Sequence, residues 1–166
     1  ALAAPVAAKK GGPIELPFEG TFAGHLIVFG EVTEGRCDDA PDGKLAWAVT
    51  SFDGWGTETQ MGKTYVKAEH CSYSTDGTQA TADGTYGEGH LTLVAANGDT
   101  LTGTYTSGVS LSPPPVIGFM DDFTFTDGGT GRFAFASGGG TEVGSVDLGD
   151  GSFTVHMEGV ISYSGR

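Results

Sequence analysis

The stretch TDGGTGRFAFASGGG, residues 126–140, decides the fold, because its glycine spacing admits two opposite readings. Gly129, Gly131 and Ala134 match the G-x-G-x-x-[GA] spacing of a dinucleotide-binding loop. Such a loop works by opening a helix, whose N-terminal N–H groups hold a pyrophosphate. Here Phe133-Ala134-Phe135-Ala136-Ser137 alternate large and small and run into Gly138-Gly139-Gly140, which predicts a strand. No Gly-Lys-[Ser/Thr] follows, so the phosphate cradle of a P-loop is missing as well. The glycines are therefore assigned to turns and strands, and the nucleotide reading falls.

The rest of the chain agrees. Its 29 glycines recur in Gly-Asp, Asp-Gly and Asn-Gly pairs, which is turn chemistry, and Thr, Val, Phe and Tyr fill the intervals. No segment shows the three-and-four apolar spacing of a long helix. Strands are predicted over 18–32, 44–52 and 63–74. In the third, Tyr65, Cys71 and Tyr73 share one face and Val66, Ala68 and His70 the other. A hairpin turns on Asn97-Gly98, with Leu91, Leu93 and Ala95 on one face. The loop SLSPPPV interrupts the sheet. Strands follow at 117–126, after the Gly128–Gly131 turn, and at 152–164. Seven or eight strands joined mostly by short turns predict an all-β antiparallel meander that closes into a barrel to remove its edges, with a β-sandwich as the alternative. Several strands are apolar on both faces, as where Met120 opposes Phe123 and Phe125, so other subunits are expected to cover part of the outside.

At 166 residues the chain suits a single domain, taken as 13–166, preceded by a flexible lead-in at 1–12. Ala1-Leu2-Ala3 reads as the tail of a removed secretory signal. Cys37 and Cys71 fit one disulfide in an exported protein, secreted or periplasmic, with two buried free thiols as the other reading. A formal net charge of −13 disfavours nucleic acid, and no apolar run is long enough for a membrane helix. No calcium loop is present, and His25, His70, His90 and His156 lie on separate strands without metal-ligand spacing, so no metal is expected.

The pattern GHLTLVAANGDTLTGTYT, followed by GGTGRFAFASGGGTEVGSVDLGDGSFTVHMEGVISY, resembles the barrel shared by allene oxide cyclases, dirigent proteins and related exported bacterial proteins. The most specific piece is Gly128-Gly129-Thr130-Gly131-x-Phe133-x-x-Ala136-x-Gly138, and the similarity covers residues 85–164. The resemblance implies a closed eight-stranded antiparallel barrel, a homo-oligomer (a trimer, or a dimer), and an interior cavity for a hydrophobic small molecule. It also implies a reaction without metal or organic cofactor, in which a reactive intermediate is steered to one cyclised or coupled product. The turn motif carries fold and no catalytic residue.

Chemistry must then be sought in the residues themselves. Glu31, after the apolar run HLIVFG, and the pair Asp121-Asp122, between Met120 and Phe123, are the candidate catalytic carboxylates. Turned inward, such a group gains proton affinity and can act as general acid or base; turned outward, it is a rim charge that Arg132 could pair with. Trp47, Tyr65, Tyr73, Tyr105 and Phe123 are the candidate ligand-binding aromatics, the competing role being core or interface. Two functions remain. One is a barrel that binds a hydrophobic small molecule, as a cofactor-free cyclase, isomerase or dirigent-like guide. The other is a structural or surface-binding module whose barrel is filled by its own side chains.

Overall fold

The computed structural model describes residues 15–106 and 108–163, without the side chains at 26, 27 and 109. The expected lead-in at 1–12 lies outside the described residues. Nine strands follow one another: β1 (Glu15–Gly30), β2 (Leu45–Glu58), β3 (Gly62–Ser74), β4 (Ala82–Ala95), β5 (Thr100–Tyr105), β6 (Val109–Ser110), β7 (Val116–Thr126), β8 (Ser137–Asp147) and β9 (Ser152–Ser162). Every pairing is antiparallel. The order β5-β4-β3-β2-β1-β9-β8-β7 closes on itself where β5 pairs with β7, giving an eight-stranded barrel. The two-residue β6 is an appendage on β7.

Alternation sorts the side chains as period two requires. Leu91, Leu93 and Ala95 point into the barrel, as do Phe123 and Phe125, while Met120 stays exposed. The inside is not uniform along its axis. The end that carries the Asn97-Gly98 turn, here the lower end, is packed with Phe18, Phe22, Leu93, Leu101, Phe123 and Phe125. Phe18 lies 5.6 Å from Phe123 and 4.9 Å from Phe125, ring centre to ring centre.

Residues 131–136 depart from the sequence expectation. Gly131–Phe133 form a single 3-10 turn and Ala134 is helical, so the strand starts only at Ser137. The large-small alternation there has another cause. Phe133 is fully buried and packs against Tyr163 in the lower core, whereas Phe135 is 76% exposed. Gly131 makes the turn possible with φ of +56°. Gly140 opposes Gly159, and a Cβ on it would lie 2.0 Å from the Glu158 carbonyl oxygen, so only glycine lets β8 and β9 approach this closely.

Cys37 and Cys71 are joined by a disulfide. It pins the loop between β1 and β2 to the outer wall, where Tyr73, Ala40, Ala46 and Val49 complete a small second core. Arg36 fastens the same loop: its guanidinium donates to the Glu88 carbonyl oxygen and lies 3.6–3.8 Å from the Glu69 and Glu88 carboxylates.

Candidate functional site

The upper half of the barrel is hollow. A cavity of about 390 Å³ begins at mid-barrel and extends to the end where β2 and β7 start. Its wall is mainly apolar, built by Phe52, Val66, Leu91, Phe119, Phe153 and Met157, with Phe29 and Trp47 toward the upper end. Trp47 reaches it through a β-bulge between Ala46 and Ala48, where the β2–β3 register slips by one residue.

Thr50 and Ser72, hydroxyl to hydroxyl at 2.6 Å, and an ionisable cluster break this wall. Asp121 on β7 and Glu142 on β8 are register partners, both buried and both lining the cavity. Tyr86 on β4 donates its hydroxyl to Asp121 Oδ2. His70 on β3 stacks on Tyr86 with ring centres 4.7 Å apart, and its Nδ1 lies 3.0 Å from the Tyr105 hydroxyl. Tyr105 fits because its register partner is glycine: a Cβ on Gly89 would fall 2.3 Å from the Tyr105 ring.

Burial governs the protonation of this cluster. Desolvation pushes the Glu142 carboxyl well above its usual range, and the facing Asp121 pushes it further. Asp121 is also raised by burial, but the hydrogen bonds it receives from Glu142 and Tyr86 oppose the rise. Of the two, Glu142 is the group whose burial most favours keeping its proton. Burial, with a smaller contribution from the Arg36 charge, holds His70 down at about 3, so it is neutral. The hydroxyls of Tyr86 and Tyr105 are pushed above the usual phenol value, by desolvation first and by the two carboxyls next. The cluster thus offers two adjacent buried carboxyls and two neutral phenols against an apolar wall, which is equipment for proton transfer to a bound molecule.

Two polar atoms of the lining have no partner among the described residues, Asp121 Oδ1 and Trp47 Nε1. One is an acceptor at the middle of the barrel and the other a donor on the lining.

Of the expected site residues, Asp121, Tyr105, Trp47 and Tyr73 border the cavity. The Tyr73 hydroxyl, however, is turned to the Glu88 carboxylate at 2.5 Å. The others are placed elsewhere. Glu31 is exposed in the loop after β1, because the apolar run before it ends the strand at Gly30. Asp122 faces outward, as the neighbour of an inward residue on a strand must. Tyr65 lies on the outer face, tilted against Trp55 with ring centres 4.9 Å apart, and its hydroxyl is bound to Asp53. Phe123 is part of the packed lower core and does not reach the cavity. Glu142, Tyr86 and His70 were not singled out from sequence as members of the site. Among the described residues no group of three or more His, Cys, Asp or Glu side chains is placed to hold a metal ion, and no described helix is long and apolar enough to cross a membrane.

Comparison with protein-family models, with curated proteins and with solved structures finds no match.

Proposed function

We propose that the protein binds a hydrophobic small molecule in the upper half of the barrel and presents to it the Asp121–Glu142 acid–base pair, as a cofactor-free cyclase or isomerase would. The observation that carries this reading is a mainly apolar cavity of about 390 Å³ with an ionisable cluster at its inner end. Such a combination is the usual form of a small-molecule site, where the wall supplies affinity and a few polar groups fix orientation. A barrel filled by its own side chains would describe only the lower half of this one. The likeness of the Gly128–Gly138 motif to cyclase and dirigent barrels supports the same reading.

The test is binding of an apolar fluorescent probe such as anilinonaphthalene sulfonate's uncharged analogue, with mass spectrometry of organic extracts of the purified protein. Saturable one-to-one binding is expected, and Leu91→Trp, which fills the cavity from a lining position, should abolish it while the melting temperature is retained. Absence of saturable binding, or equal binding by the filled variant, would sink the proposal.

Export and self-association belong to the same reading. The Cys37–Cys71 disulfide supports an oxidising destination, periplasmic or extracellular. Exposed Met120 and Val143, register partners on the outer face, support contact between copies of the chain. Sedimentation velocity should return a dimer or trimer that Met120→Lys dissociates; a monomer at all accessible concentrations would remove the oligomer from the proposal.

A further inference from the structure

The cavity has an unbalanced charge. Its lining includes a pair of carboxyls, yet among the described residues no lysine or arginine lines it. Arg36 lies on the outer wall and is engaged there by Glu69 and Glu88. Buried carboxylates are ordinarily paired with a cation or neutralised by a proton. Here no cation among the lining residues does so: Asp121 is 6% exposed, and its Oδ1 has no hydrogen-bond partner among the described residues. Around it stand aromatic rings. Tyr86 lies 6.2 Å from Phe119 and 6.3 Å from Tyr105, centre to centre, and all three border the cavity. A carboxylate on the wall of an aromatic-lined cavity is suited to an organic ammonium, by charge-assisted hydrogen bonding with cation–π attraction from the lining rings.

Resting on the reading of the cavity as a ligand site, we infer that its ligand is a lipophilic amine, whose protonated nitrogen binds Asp121 Oδ1 while its hydrocarbon fills the space beneath Phe29 and Trp47. The ammonium donates to the oxygen that lacks a donor, and the apolar wall takes the remainder. The net charge of −13 raises the local concentration of cations and so favours entry of such a ligand over its neutral or acidic analogues. Groups facing the pair are consistent with this: His70 from β3, Tyr86 from β4 and Tyr105 from β5 are all neutral, β9 opposes Glu142 with Met157, and Asp122 on β7 adds only negative charge from outside.

The experiment compares amine, alcohol and carboxylic acid on each of two skeletons, phenylbutyl and decyl, by calorimetry on the full chain near neutral pH. The amines should bind at least about tenfold more tightly than the matched alcohols, and the acids should not bind. In Asp121→Asn the amine advantage should vanish while alcohol binding persists, which also shows that the variant is folded. Repeating the amine titration in buffers of different ionisation enthalpy should reveal release of a fraction of a proton as the ammonium displaces a proton from the pair. Equal binding of amine and alcohol, tighter binding of the acid, or an amine preference that survives Asp121→Asn would overturn the amine inference and leave the cavity reading standing. No binding on either skeleton would overturn both.

Discussion

Glu142 and His70 sit in the same polar cluster, yet acid acts on them in opposite senses. The folded-state pKa of Glu142 lies above its ordinary 4.5, so the folded protein keeps a proton that the unfolded chain gives up. Its contribution is therefore complete below about pH 4.5 and is lost as pH rises through the folded value. His70 is held at about 3 against an ordinary 6.5, so the folded protein refuses a proton that the unfolded chain takes. Its contribution is complete above pH 6.5 and is lost as pH falls toward 3. Denaturant titrations should show Glu142→Gln more stable than the parent near pH 8, with the gain gone near pH 4. His70→Gln should flatten the loss of stability between pH 6.5 and 3. Parallel pH profiles for parent and variants would mean that neither group is buried as described. At this scale the sequence was only partly legible. Asp121 was readable because two adjacent carboxylates interrupt an apolar strand. Glu142 was not, since it stands among Thr141, Val143 and glycines and resembles any solvated strand carboxylate. Only the β7–β8 register, which pairs it with Asp121, brings it inward.

Among elements, the turn that follows β7 combines glycine conformation with core packing. At Gly131 the φ of +56° is unfavourable for any side chain, and an added Cβ would meet Asp99 Oδ1 at 2.0 Å. Gly131→Ala should cost about 1–2 kcal/mol in chemical denaturation, of which Asp99→Ala recovers the contact part and leaves about 1 kcal/mol for the backbone. A neutral result would show that the turn is free to rearrange. The disulfide acts on a longer element. Cys37 and Cys71 are 34 positions apart, so breaking the link frees a loop whose closure is worth about 3–4 kcal/mol on chain-entropy grounds. Cys37→Ser with Cys71→Ser should lower stability by that order, and the melting temperature of the parent should fall under reducing conditions. Strands and hairpins were legible because turn residues and period-two alternation are local signals. The 3-10 turn at 131–133 was not, since Phe133 and Phe135 mimic strand alternation while one is buried against Tyr163 and the other is exposed.

For the molecule as a whole, closure was readable from the strand pattern, while the cavity was expected only through the family resemblance. Strand number and short turns predict a barrel, and β5 pairing with β7 completes it. Whether a barrel is full or hollow depends on how side chains from eight strands meet at one height, which no single strand records. The lower half meets as a ring of phenylalanines and leucines, and the upper half meets only in part and leaves a cavity. That division reaches beyond binding. The packed core is concentrated at one end of the barrel and the cavity at the other, on the same strands but at different heights. Residues such as Phe52, Phe119 and Leu91 can therefore drift or be randomised while Phe18, Leu93 and Phe133 hold the architecture, so lineages of this chain could acquire new ligands without having to rediscover the fold.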